Sequence, residues 1–447
     1  MGSLFMILCL RQQVSYVIQE RKPMSNHPKK HHYVPQSVLK HFSADNAKTN
    51  IYVFDKISQR SYLSSIRNAG CENYFNTVDD INGKSVCYEG LFQTNDDHLA
   101  RLFHMIASNR SIDAITTEDR YTLSEVVATQ IVRTNMLRTS IRSISEQLLT
   151  LLHEFGLNPG DVDGCSIPTD KEVRRVAFTS LFNLREIISA LQDKKLILIH
   201  TTGPKVFWTS DNPVVLHNTF PYGEMGLNSL GIEIYLPISS ELVLGFYCPS
   251  IELKIRQGMA VKHPIINCEK FIEIYRGLHE GIPVSLGPET HPFLNSLQIL
   301  NSSRFLYAQN DNFEHAKEII EKNPDASDIR SLLSVGPMGQ GTPARSNMPP
   351  GLWVVFYGNQ DHCMIPVDTW NQSSEFLEFE MRDLVSLHML VNDQRIMQAV
   401  LFQDGIERRG MRDVKVEIQK RKAHWHVLVT HHDEALNKLF SSMNSPK

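Results

Sequence analysis
The chain has 447 residues, with 42% apolar and 21% charged residues and a net charge of −4. Those values describe a folded globular protein of about two domains, and they argue against wholesale disorder. The small negative charge also argues against a chain-wide basic footprint for nucleic acid, although a local basic patch stays open. The seven cysteines include no C-x-x-C pair. That pattern leads to an expectation of reduced thiols in the cytoplasm rather than a disulfide framework or a structural zinc site.

The first 30 residues read as a flexible extension. Their apolar run, Leu4–Leu10, is too short to span a membrane and has no basic residue before it. His31-His32-Tyr33-Val34-Pro35 follows, and Pro35 opens a short helix over Gln36–Phe42. Ile51–Phe54 and Tyr62–Ile66 are β-prone and spaced for a hairpin, and Asn82-Gly83 marks a turn. Apolar spacing predicts a helix within Tyr88–Ile106. Thr117, with Glu118 and Asp119 in its first turn, reads as the cap of a long helix over Tyr121–Phe155. A second long helix is expected over Asp170–Asp193. Strands are expected over Leu196–His200, Val206–Thr209, Val214–Leu216, Gly231–Leu236 and Leu242–Tyr247. A helix over Pro292–Asn301, a strand over Arg304–Gln309 and a helix over Asn312–Lys322 close this part.

Residues 326–350 read as a linker, with Gly, Pro and Ser concentrated in 334–350. Beyond it, Leu352–Tyr357, Phe376–Glu380 and His424–Val429 are strand candidates, and Met381–Leu390 and Asp433–Phe440 are helix candidates. The expected fold class is therefore α+β. It comprises a large, mainly helical domain over 31–325 with a mixed or antiparallel sheet, and a small α+β domain over 351–447.

Several stations occur in the order of a known family. They are the His31–Phe42 box, Cys71-Glu72-Asn73-Tyr74-Phe75, Gln130-Ile131-Val132-Arg133-Thr134 and Trp208-Thr209-Ser210-Asp211-Asn212-Pro213-Val214. The hairpin around Leu236–Ser239 and the closing Leu294–Ala308 unit add to them. Over residues 31–310 the chain resembles a mainly bacterial family known as domain of unknown function 4238. The resemblance implies one large domain and no established chemistry. It also leads to an expectation of two Glu residues near the start of the helical region. Here Glu89 stands with Asp97 instead, which weighs against a carboxylate-rich metal site.

The candidate site residues follow from their chemistry. His31 and His32 point to opposite sides of an extended chain, so one of them enters a given site. His32 is the candidate acid–base group, and His31 is assigned to substrate binding. Glu72 or Glu89 would supply a carboxylate to His32, unless they serve as a loop ion pair and a first-turn helix acid. Gln130 and Arg133 share a helix face and could grip an anion or clamp the helix to the sheet. Asp211 could orient a His, hold a metal or act as a base. Asn212 beside it would contact substrate, unless the pair forms an Asx-turn. His424 and His426 share a strand face but lack supporting ligands.

The chain has no Walker loop, no G-x-G-x-x-G after a strand, no G-x-S-x-G and no H-E-x-x-H, so no nucleotide-cofactor motif is present. A divalent metal stays open. The leading expectation is a phosphodiester hydrolase acting on nucleic acid or nucleotide, with His32, Gln130, Arg133 and Asp211 around one cavity. The alternative is a non-enzymatic binding module, with residues 351–447 available to a protein partner. No membrane association is expected.

Overall fold
The structure is a computed structural model. It describes residues 29–79, 85–154, 156, 158, 166–201, 205–218, 226–229, 231–260, 268–327, 352–358, 362–372, 377–381, 396–403, 406–412, 414–421 and 424–431. The fold is α+β. The chain divides into two compact units. The first comprises Met1–His217, Glu233–Pro249 and Arg276–Pro337, and the second Asn218–Ile232, Ser250–Tyr275 and Met338–Lys447. Among the described residues, no helix is long and apolar enough to cross a membrane.

In the first unit, β1 (Lys30–His32) leads into a short helix, α1 (Gln36–Leu39), finished by a 3-10 turn over Lys40–Phe42. β2 (Asn50–Asp55) and β3 (Arg60–Ser65) form the expected antiparallel hairpin. β4 (Cys71–Asn73), β5 (Thr77–Asp79) and β6 (Ser85–Cys87) are short. β1 pairs with β4, and β5 pairs with β6. The helices α2 (Gln93–Asn109), α3 (Thr117–Arg133), α4 (Asn135–Glu154), α5 (Asp170–Ser180) and α6 (Arg185–Gln192) follow.

The chain then forms β7 (Lys195–His200), β8 (Thr209–Ser210), β9 (Val215–Asn218), β10 (Ile232–Pro237) and β11 (Leu242–Tyr247). After α7 (Pro249–Ala260) and α8 (Cys268–Glu280) come β12 (Pro283–Val284), α9 (Thr290–Asn301), β13 (Phe305–Ala308) and α10 (Glu314–Lys322). One sheet is mixed, in the order β12-β7-β11-β10-β9, with β12 parallel to β7. The other is antiparallel, in the order β3-β2-β13-β8. Phe54, Trp208, Ile299, Leu306, Phe313 and Ile320 form one core between that sheet and helices α9 and α10.

Two helices differ from the sequence expectation. The long helix over Tyr121–Phe155 is interrupted at Thr134, which is extended at φ −83°, ψ 166°. Buried Thr134 donates its hydroxyl to Asn212 Oδ1 at 3.1 Å, a tertiary bond that ends α3 without Gly or Pro. The cap is Thr116 rather than Thr117, and it forms a capping box with Asp119. The second long helix, over Asp170–Asp193, is split. The N–H groups of Leu181, Phe182 and Asn183 donate to carbonyls three residues back, tightening the chain into a turn. The turn at Asn82-Gly83 lies outside the described residues.

The second unit's described strands form two four-stranded sheets. β14 (Leu352–Gly358), β15 (His362–Pro366), β18 (Ile396–Gln403) and β19 (Ile406–Arg412) make one, in the order β15-β14-β18-β19. β16 (Thr369–Gln372), β17 (Leu377–Met381), β20 (Val414–Arg421) and β21 (His424–His431) make the other, in the order β16-β17-β21-β20. Phe356, Ile365 and Leu401 of the first sheet share a core with Phe379, Val427 and Val429 of the second. Met381 ends a strand. The remaining residues of the two helix candidates, and most of the linker candidate, lie outside the described residues.

Candidate functional site
The site is built on the β1–β4 ribbon. Tyr33 and Val34 both donate backbone N–H bonds to the Gly70 carbonyl, at 2.9 and 3.1 Å. Gly70 has φ +61°, and a Cβ there would lie 3.0 Å from Val34 Cβ, so the approach requires glycine. The register sets His31 opposite Glu72 and His32 opposite Cys71. The two imidazoles therefore face opposite sides of the ribbon.

His31 is fully buried. Its Nδ1 accepts the Asn76 N–H at 2.9 Å, so in the neutral ring the proton is on Nε2. That nitrogen lies 3.6 Å from Cys87 Sγ. With both nitrogens committed, His31 is a fixed donor rather than a base. It lines a cavity of about 660 Å³ together with Tyr74, Cys87, Lys171 and Arg174.

His32 is arranged differently. Its backbone N–H donates to Glu89 Oε1 at 3.1 Å, and Glu89 Oε2 accepts from Asn76 Nδ2 at 2.5 Å. One carboxylate thus fixes both the ribbon and the residue that orients His31. The His32 Nε2 is buried and has no hydrogen-bond partner among the described residues. Burial lowers the pKa of the ring, against the opposing effect of Glu89, so His32 is neutral near pH 7. Arg133 and Lys30 also act on it, both favouring the neutral form.

Arg133 closes this cluster. Its guanidinium grips Asp96 through two bonds and stacks 4.1 Å above the centroid of the Phe92 ring, while its buried Nε has no hydrogen-bond partner among the described residues. Burial raises the Asp96 pKa, with Arg133 opposing the shift and Glu89 adding to it. The second carboxylate beside Glu89 is therefore Asp96. Asp97, one residue on, is bonded by the exposed Gln93 side chain.

The other candidates are drawn into the fold. Gln130 Nε2 donates to the Tyr33 carbonyl at 2.8 Å, fastening α3 to the His box. The Asp211 carboxylate is fully buried and accepts the backbone N–H groups of Ser303, Arg304 and Phe305 at 2.7, 2.7 and 2.8 Å. It is a long-range anchor rather than a local Asx-turn. Burial raises its pKa to about 6 despite those bonds. Asn212 accepts from Thr134 and donates to the Asn301 carbonyl at 3.0 Å.

The expected single cavity of His32, Gln130, Arg133 and Asp211 is replaced by two groups. His32, Glu89, Asp96 and Arg133 interact electrostatically on one side. Asp211 and Asn212 tie the end of α9 to β8 on the other. Tyr33 is the link between them. It is affected by Asp211 and hydrogen-bonds to Tyr307, whose hydroxyl accepts the Gly70 N–H. Glu72 is exposed and lines a second cavity of about 250 Å³ with Arg138, Arg142 and Arg174. Sequence reasoning missed Asn76, Asp96, Tyr74 and these arginines. The four-residue spacing of Arg138 and Arg142 on one helix face was the available signal.

In the second unit, His426 Nδ1 lies 3.7 Å from Glu378 Oε1. Among the described residues, no group of three or more His, Cys, Asp or Glu side chains has a geometry that would hold a metal ion.

No curated protein and no solved structure matches the chain. The profile of the family described as "Protein of unknown function (DUF4238)" matches residues 30–312, well over half the sequence. The ribbon with its paired imidazoles, the α3 clamp and the Asp211 anchor all fall within that span, and the chain belongs to that family.

Proposed function
We propose that the family domain is a hydrolase of phosphodiesters, acting on a nucleic acid or nucleotide with His32 as its acid–base group. The observation that carries this reading is the buried, unpartnered Nε2 of a neutral His32 beside Glu89 and the Arg133–Asp96 pair. A neutral imidazole with an unused lone pair can accept the proton of an attacking water. In that step the water oxygen bonds to phosphorus and its proton passes to Nε2; the bond from phosphorus to the leaving oxygen breaks, that oxygen takes a proton from solvent water, and the imidazolium returns its proton to solvent. Glu89 would favour the imidazolium that forms. The unused Arg133 Nε–H is a donor for charge developing on the phosphoryl oxygens.

A second reading, a binding module without catalysis, is favoured by the structural bonds that Gln130, Asp211 and Asn212 make within the fold. A nuclease and phosphodiesterase screen over several divalent metals, run beside a melting curve, separates the two. Hydrolysis by the wild type that His32→Ala abolishes at an unchanged melting temperature supports the enzyme. No turnover by the wild type in any condition, with a lower melting temperature for His32→Ala, rejects it in favour of the module. Residence in the cytoplasm belongs to the same proposal, supported by Cys71, Cys87 and Cys248, which among the described residues form no disulfide. So does a protein partner for the second unit.

A further inference from the structure
The two cavities beside the β1–β4 ribbon share Asp170 and Arg174, so they adjoin. Arg138 and Arg142 lie four apart on α4 and bring their guanidinium groups to one face, while Arg174 comes from α5. All three line the smaller cavity, with the Thr139 hydroxyl and the Asn135 amide.

Their positions are prearranged. Arg138 donates to the Phe75 carbonyl at 2.6 Å and stacks on the Phe75 ring at 3.4 Å from the centroid. Arg174 donates to the Tyr74 carbonyl at 3.4 Å, a long bond that leaves most of its capacity unused. Burial, with Arg174 as the next cause, lowers the Arg138 pKa to about 10, so the two like charges act on one another. The local acids are Glu72 and Asp170, and Asp170 pairs with Arg142 at an exposed position. Lys171 on the rim is paired with Asp79 at 2.9 Å. Three guanidinium groups thus face two carboxylates around the smaller cavity.

The larger cavity adds an aromatic surface. Tyr74 is 53% exposed and holds φ +57°, the left-handed region that a bulky residue rarely adopts. Its ring stands edge-on to His31, 6.3 Å away between centroids. Exposed aromatic area held at a backbone cost, beside converging cations, is the pattern of a site that stacks a planar group and binds an anion.

We propose that the two cavities form one nucleotide-binding site, in which a base stacks on Tyr74 and its phosphate is held by Arg138, Arg142 and Arg174. The site lies on the His31 face of the ribbon, opposite His32, so it goes beyond the reading above and rests on it only for the chemical class of the ligand. A free nucleotide and one unit of a single strand present the same chemistry.

The test is equilibrium binding to the full chain by calorimetry. The probes are 5′-mononucleotides, inorganic phosphate and a short single-stranded oligonucleotide, and melting curves accompany each variant. Arg142→Gln and Arg174→Gln alter side chains that reach solvent and are expected to weaken mononucleotide binding by about tenfold each. Tyr74→Gly accepts the same backbone conformation. It is expected to weaken mononucleotide binding by about fivefold and to leave phosphate binding unchanged. Tighter binding of the oligonucleotide than of the mononucleotide assigns the site to a strand, and equal binding assigns it to the free nucleotide. Absence of mononucleotide and oligonucleotide binding at millimolar concentration overturns the proposal, as does wild-type affinity in the arginine or Tyr74 variants. Binding that survives in a chain with no turnover under any condition rejects the hydrolase and leaves this site standing. Turnover that is indifferent to the arginines does the reverse.

Discussion

The Arg133 guanidinium, at the last residue of α3, holds the Asp96 carboxylate in the first turn of α2 with bonds of 2.5 and 3.3 Å. The Arg133 side chain is 2% exposed and that of Asp96 28%. Removing one partner of such a pair leaves the other charge stranded, whereas replacing both with apolar groups does not. Asp96→Ala is therefore expected to lower unfolding stability by about 3 kcal/mol. The double variant Asp96→Leu with Arg133→Met is expected to recover most of that loss, as read by urea denaturation. A double variant less stable than Asp96→Ala would show that the charges contribute more than they cost.

The legible part of the fold is the part that local pattern controls. Leu242–Tyr247 reads as a strand because it is a β-prone apolar run, and the structure has β11 over those residues. The break at Thr134 was not legible, because a hydroxyl reaching Asn212 makes it and nothing in the neighbouring sequence announces that bond. The choice of Asp97 over Asp96 has the same origin. Adjacent residues on a helix point in directions about 100° apart, and only the packing of α2 on α3 decides which of them meets Arg133. The family stations drew attention to both His32 and Asp211. They did not separate Asp211, which is spent on three backbone N–H groups, from His32, which keeps a nitrogen in reserve.

Lys56 is fully buried, and its ammonium donates to the carbonyls of Ile299 and Ser302 at 2.8 Å each. Those carbonyls sit at the C-terminal end of α9, where a cation also complements the helix dipole. Lys56→Met keeps the bulk and removes the donors. It is expected to cost about 1–3 kcal/mol in a thermal melt, since the carbonyls lose a charge-assisted partner. An unchanged melting temperature would mean that water takes over the role.

Asp211 titrates in the fold near pH 6, above the ordinary value of 3.8, because it is buried. Between those two values the native state binds the proton that the unfolded chain has lost. Its contribution to stability is thus fully present below about pH 4 and is lost as pH rises through about 6. Asp211→Asn abolishes that slope. It also turns an amide N–H₂ toward backbone donors, so the variant is expected to be less stable, by the widest margin near pH 4 and by a narrower one above about pH 6. Melting temperatures taken across pH 4–6 check both parts.

His41 works in the opposite sense. Burial, with Lys48 and His104 nearby, lowers its pKa to about 4 from 6.5. Its contribution is present above 6.5 and is lost as pH falls toward 4, where the unfolded chain takes up the proton first. His41→Leu is expected to flatten the acid side of the stability profile. A variant whose acid limb matches the wild type would assign that limb to other groups.

The clasp of Asp211 on residues 303–305, and the Asp55–Arg304 pair beside it, also bear on how the chain is made. Strand β2, near the N-terminus, pairs with β13, so one sheet edge of β2 stays open until Phe305–Ala308 have been synthesised. Contacts so distant in sequence form slowly, because a long loop must close before any bond rewards it. A nascent chain ending before residue 303 therefore carries an unfilled strand edge, and it lacks the N–H groups that the Asp211 carboxylate accepts in the finished fold. On the ribosome the His box would emerge early and acquire its final geometry only near the end of the family domain, which makes the interval between them the period of greatest exposure to chaperones and proteases.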